Sequence, residues 1–158
     1  WGDETDYLVL NTTAATADDN TYWNDTAPTA SVFTVGTAHN VNASTETYVA
    51  YLFASLSGIC KIGSYTGNDS SQTINCGFAA GARFVLIKSY NATGNWVVFD
   101  SVRGIVAGND FSLLLNTTGA EVTDKDAIDP DNSGFIVNET TGPNINTNNV
   151  LYKFIAIS

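Results

Sequence analysis

The apolar residues of this chain come in short runs. They are rich in β-branched and aromatic side chains, and each run is closed by Gly, Asn, Asp or Thr. Runs of that length and composition predict strands, and no stretch keeps helical spacing for three turns. The predicted strands lie near 7–10, 32–35, 47–54, 59–66, 72–78, 83–89, 96–100, 111–115, 134–137 and 150–157. About ten short strands broken by frequent turn signals imply an all-β fold, a β-sandwich of jelly-roll-like kind. Tyr48–Phe53 and Phe84–Ile87 are continuous apolar runs, as expected of strands covered on both faces. Phe84, Leu86, Val98, Leu114, Tyr51, Phe53, Phe154 and Ile155 are the expected core residues.

The two ends of the chain resemble each other. Tyr7-Leu8-Val9-Leu10-Asn11-Thr12-Thr13 is answered by Ser112-Leu113-Leu114-Leu115-Asn116-Thr117-Thr118, and Val32–Val35 by Gly134–Val137. Asn42 with Tyr48–Phe53 is answered by Asn146 with Leu151–Ala156. Three blocks in one order, offset by 102 to 105 residues, read as an internal repeat in which 1–55 resembles 109–158. Residues 56–106 occur once. The expected organisation is a single compact β unit, 1–158, made of a half repeat (1–55) and a full repeat (56–158). The absence of Met makes the chain read as a processed product or a section of something longer. The first copy has no counterpart of the strands at 83–89 and 96–100, so Tyr7, Leu8, Val9 and Leu10 form the expected self-assembly strand. An apolar strand with an unpaired edge is a template for joining another chain. It can dock on its own chain or complete a neighbour, and the second solution, which generates a filament, is the expected one.

Composition narrows the function. Charged residues make up only 14% and the net charge is −10, with six Lys and Arg in all. So few cations argue against a nucleic-acid backbone or an anionic membrane surface as partner. No apolar run is long enough for a membrane span. The neutral-polar surface, rich in Asn, Thr, Ser and Gly, suits an extracellular β protein.

Cys60 and Cys76 stand symmetrically about the turn signal Gly67-Asn68-Asp69. A hairpin folded there sets the two opposite each other and predicts a cross-strand disulfide, which stabilises by about 3 kcal/mol in the entropic picture. The competing reading is two buried thiols. Seven Asn-x-Ser/Thr sequons occur, at Asn11, Asn24, Asn42, Asn68, Asn91, Asn116 and Asn138. These are the glycosylation candidates, set against an Asn/Thr-rich turn composition that produces sequons freely. Asp124, Asp126, Asp129 and Asp131 crowd one acidic stretch that ends on Gly134. Calcium takes several oxygens on a tight loop, so these four are its candidate ligands, although the spacing is not that of an EF-hand. Solvated turn residues are the bland alternative, and no other cofactor is expected.

Nothing in the sequence reads as a catalytic motif. His39 stands in a Gly/Thr/Asn-rich turn without a Ser or Cys motif, and no phosphate loop or zinc-binding pattern is present. Asp100 and Arg103 read as a local pair at a strand end. The expectation is a protein that is not an enzyme.

Five segments carry a family resemblance: Thr47–Tyr51, Gly63–Asn68, Gly81–Lys88, Trp96–Gly104 and Leu113–Glu121. The chain resembles a repeated domain of unknown function found in tail-fibre and other virion-associated proteins of marine phages, especially those infecting cyanobacteria. The resemblance covers nearly the whole chain. It implies a non-enzymatic, often repeated β domain on extracellular particles and transfers no functional residues. Cys76 fits that family's pattern, whereas Cys60 stands where a small residue such as Ser is common, which implies an added disulfide.

The expected function is therefore a structural subunit, extracellular on a virion or fibre, whose partners are copies of itself. The alternative is a carbohydrate- or receptor-binding module, with Trp1, Tyr22, Trp23 or Trp96 stacking on a cell-surface glycan.

Overall fold

The computed structural model describes residues 4–138 and 143–158. Trp1 lies outside them. Contacts group the chain into two units: residues 1–8 with 16–52, and residues 9–15 with 53–158. The boundary falls near residue 52, but residues 9–15 belong to the second unit.

The second unit is an antiparallel β-sandwich. Its strands are β3 (Cys60–Thr66), β4 (Gln72–Asn75), β5 (Phe84–Ser89), β6 (Trp96–Asp100), β7 (Asp110–Leu114), β8 (Val122–Lys125), β9 (Ile128–Asp131), β10 (Gly134–Val137) and β11 (Leu151–Ile157). Six form one sheet in the order β3-β11-β5-β6-β7-β8, and three form another in the order β4-β10-β9. Alternate residues of β5, β6 and β11 face inward: Val85 and Ile87, Val97 and Phe99, Tyr152, Phe154 and Ala156. They pack with Ile74, Ile128, Phe135 and Val137 of the smaller sheet in one apolar core. Phe135 meets Phe154 edge-on at 5.4 Å between ring centroids. On β3, Gly63 leaves the room this ring needs, because a side chain there would run into Phe154.

The first unit is built differently. It holds β1 (Asp6–Tyr7) paired with β2 (Ala17–Asp18) and the single-turn helices α1 (Asn20–Trp23) and α2 (His39–Asn42). Asp19 accepts from the Thr21 hydroxyl at 2.7 Å and from the Thr21 backbone N–H at 2.9 Å, which holds its carboxyl below the usual range, the second bond capping α1. Tyr7 stacks on Tyr22 at 3.8 Å. None of the buried apolar side chains among the described residues belongs to this unit. No helix among the described residues is long and apolar enough to cross a membrane.

The all-β class and most of the second-unit strands agree with expectation. Other expectations need correction. The strands predicted at 32–35 and 47–54 do not form, and the one at 7–10 shrinks to Asp6–Tyr7. A strand exists only where a second backbone completes its hydrogen bonds. β11 lies between β3 and β5, whereas its sequence counterpart at 48–53 has no strand on either side among the described residues. Tyr51 and Phe53, expected in the core, are consequently 83% and 56% exposed. Val98 and Phe154 are buried as expected, and Phe84, Leu86, Leu114 and Ile155 are half-buried.

β8 and β9 were not expected, because each holds too many polar residues to read as a strand. Both are outer strands. Pro130 in β9 and the charged Asp124 and Lys125 in β8 are residues that outer strands tolerate and that deter further pairing.

Candidate functional site

The predicted Cys60–Cys76 disulfide is absent; both cysteines are free. The reason is topological. β3 and β4 are not a hairpin: β3 pairs with β11 in the larger sheet, while β4 pairs with β10 in the smaller one. The turn expected at Asn68 is instead the crossing point between sheets. Burial pushes the Cys76 thiol up to about 11, with the Lys61 ammonium opposing and Cys60 adding slightly.

A buried asparagine holds this crossing. Asn146, 1% exposed, accepts from the Asn68 backbone N–H at 3.2 Å and from Gln72 Nε2 at 2.7 Å. Its Nδ2 donates to the carbonyls of Ser70 at 2.8 Å and Asn138 at 3.0 Å. All four hydrogen-bonding positions of the amide are thus used. The sequence singles out Asn146 only by its likeness in setting to Asn42, with no sign of this role.

The four acidic candidates for calcium do not converge. Asp131 accepts from the Ser133 backbone N–H and hydroxyl at 2.8 and 2.6 Å. Asp126 accepts from Asn138 Nδ2 at 2.6 Å, and Asp124 lies 3.3 Å from Lys125. Asp129 has one buried carboxylate oxygen without a partner. No group of three or more His, Cys, Asp or Glu that could hold a metal ion occurs among the described residues. The carboxylate that sequence reading missed is Asp110, 1% exposed. It accepts the backbone N–H groups of Ala127, Ile128 and Val106 at 2.9, 2.8 and 3.3 Å. Burial pushes its carboxyl above the usual range, the three N–H groups pull it back, and Asp126 adds a little upward. Its role is to tie β7 to the start of β9.

The sequons divide by what their amides do. Asn42, Asn116 and Asn138 donate from Nδ2 to Gly36 O, Asn95 Oδ1 and Asp126 Oδ1 respectively. Asn11, Asn24, Asn68 and Asn91 are exposed. Asn68 and Asn91 use only the carbonyl side of the amide, accepting from the N–H groups of Ser70 and Leu151.

Two other sequence expectations can be placed. Arg103 bonds Asp100 through Nε at 2.6 Å and also reaches Glu121 at 3.4 Å, as a local pair should. His39 is exposed, and its carbonyl accepts from Tyr48 Oη at 2.7 Å.

The predicted self-assembly strand is not free. Tyr7 pairs with Ala17, and the Val9 carbonyl accepts from the Trp96 indole N–H at 3.1 Å. Thr13 O accepts from Gly94 N at 2.9 Å. Residues 9–15 therefore dock on their own chain.

The accessible apolar surface lies elsewhere. Val49, Tyr51 and Leu52 are 80%, 83% and 74% exposed, and Tyr48, Phe53, Leu56 and Ile59 are exposed as well. Within the first unit, Tyr48 to Leu52 line a cavity of about 530 Å³ together with Trp23, Phe33, Val35, Glu4 and Asn40. Trp23 is anchored by its indole N–H to Asp6 O at 3.1 Å.

No curated protein matches the chain, and neither does any solved structure. Residues 2–158 match the model of the family described as Domain of unknown function (DUF7483), and the chain belongs to that family.

Proposed function

We propose that this chain is a non-enzymatic structural subunit of an extracellular fibre, joined head to tail to copies of itself. The observation that carries the reading is the first unit. Among its described residues it buries no apolar side chain, yet it exposes Val32, Phe33, Val35 and the run from Tyr48 to Leu52. Burial of apolar surface is the main favourable term in folding, so such a unit gains most of its stability from a partner. A contact that uses different surfaces on the two copies does not close on itself and builds a filament. The low charge and neutral-polar composition suit an extracellular particle. Negative-stain microscopy and sedimentation velocity of the purified chain over rising concentration test this. Regular fibrils or growing oligomers are expected; a monomer at the highest soluble concentration refutes it.

A second reading, a carbohydrate- or receptor-binding module, has one observation in its favour. The cavity of the first unit is lined by Trp23, Phe33, Tyr48 and Tyr51 with Asn40 among them, a combination able to stack on a sugar ring and hydrogen-bond its edge. Chemical-shift perturbation of the Trp23 indole by neutral oligosaccharides tests it, and an unchanged spectrum at saturating sugar removes it.

A further inference from the structure

We infer that residues 49–55 are a donor strand, and that their receptor is the outer edge of β3 in a second copy of this chain. The inference rests on the self-assembly reading and names its contact.

β3 is an end strand of the six-stranded sheet, with β11 on its inner side. Its outer edge already carries the beginning of a hairpin. Leu56 and Cys60 exchange both backbone hydrogen bonds, at 2.8 and 2.9 Å, in an isolated antiparallel bridge. The next outward group, the Ile62 N–H, is taken by Ser55 Oγ at 3.0 Å. There the pairing stops. The backbone of residues 49–54 makes no hydrogen bond to other backbone among the described residues. Outward groups alternate along a strand, so the edge continues through Ser64 to Thr66, whose carbonyl already accepts from Gln72 Nε2 at 3.0 Å.

The bridge fixes the register of any strand that extends it. Steps of two from Leu56 opposite Cys60 set Ala54 opposite Ile62, Leu52 opposite Ser64 and Ala50 opposite Thr66. Between them, Phe53 falls opposite Gly63 and Tyr51 opposite Tyr65. On the inner side of β3, the residues opposite Gly63 and Tyr65 are Phe154 and Tyr152. The donor thus repeats, on the outer edge, the Tyr-x-Phe pattern that β11 supplies on the inner one. Tyr51 joins the row where Tyr65 and Tyr152 stack at 5.1 Å, and Phe53 falls beside Gly63, over which the Phe154 ring already lies. Leu52 and Ala54 fall on the opposite face, beside Ile62.

Two observations select a second copy as the occupant. The residues of the run up to Leu52 are gathered into the first unit, where they wall its cavity, rather than into the unit that contains β3. The other end of the sheet, β8, is guarded by Asp124 and Lys125, whereas the outward positions of β3 from Ile62 to Thr66 are uncharged. The incoming strand displaces the receptor's own Ser55 and Leu56 from this edge, and such an exchange is a low-cost route to assembly, because the contact is one the chain already encodes.

Disulfide trapping tests the register. In a Cys60→Ser, Cys76→Ala background, Leu52→Cys and Ser64→Cys are made as separate proteins, mixed and mildly oxidised. A cross-linked pair of copies containing one of each is expected. A chain carrying both substitutions that closes only on itself, while the mixture stays uncross-linked, overturns the exchange in favour of the chain's own edge. Polymers without any cross-link overturn this contact but leave the self-assembly reading standing, and monomers without cross-link remove both. Ser64→Pro provides an independent check. It removes an outward N–H, a substitution an edge strand tolerates, and is expected to abolish assembly with an unchanged β circular dichroism spectrum. Assembly at the wild-type level in a folded Ser64→Pro protein refutes the contact.

Discussion

The crossing between the two sheets depends on one buried amide, and its removal should be costly. Asn146→Ala deletes four hydrogen bonds at once: two donated by Nδ2 to Ser70 O and Asn138 O, and two accepted from Asn68 N and Gln72 Nε2. Each intramolecular bond contributes about 0.5–1.5 kcal/mol net, and a buried group left unpaired costs about 1–3 kcal/mol. Ser70 and Asn68 are exposed, so water can replace their lost partner. Asn138 and Gln72 are only half-exposed and recover less. The expected loss is therefore about 2–4 kcal/mol, in the upper range of single substitutions. Asn146→Asp should be no better, because it sets a carboxylate against two carbonyl oxygens. Urea unfolding followed by Trp96 fluorescence measures the loss in the second unit, with Asn148→Ala, an exposed neighbour, as the control expected near zero. A loss under about 1 kcal/mol for Asn146→Ala would mean that the sheets hold the crossing without the amide, and the reasoning would fail.

Asp110 should make stability fall as pH rises. Burial raises its carboxyl in the folded state, so just above the ordinary carboxylate range, near pH 4, the folded chain binds more protons than the unfolded one, and the slope of stability with pH is negative there. Comparing pH-dependent unfolding of wild type and Asp110→Asn isolates this contribution, and a wild type that gains on the variant with rising pH contradicts it. At pH 8, Cys60 should react with a thiol reagent well before Cys76, whose thiol is pushed up to about 11 and is buried; equal rates in the folded protein would be inconsistent with the structure. If the chain is secreted through a glycosylating pathway, peptide mapping should find oligosaccharide at Asn11, Asn24, Asn68 and Asn91. Asn42, Asn116 and Asn138 should be bare, since their amide N–H groups already donate within the fold. Occupancy spread evenly over all seven would overturn that division.

What could be read in the residues was what depends on neighbours along the chain. Phe84–Ser89, Trp96–Asp100 and Leu151–Ile157 announced themselves as strands through short, turn-bounded apolar runs. The Asp100–Arg103 pair, three residues apart, was legible for the same reason. β9 was hidden because Pro130 and its flanking acids are unfavourable in a strand interior and acceptable only on an edge, and edge position is not a local property.

The sequence by itself determined the β class, the turn positions and most of the strands of the second unit, because alternation and turn chemistry act over a few residues. Only the tertiary structure decided which strands met. β3 found β11 and not β4, which separated Cys60 from a partner that hairpin symmetry had assigned to it. Asn146 became a hub by meeting Asn68, which is 78 positions away. The same dependence explains why two runs of similar pattern fold differently. Tyr48–Phe53 and Leu151–Ala156 have similar patterns, but a strand is completed by another backbone, and among the described residues it is the second run that has one on each side.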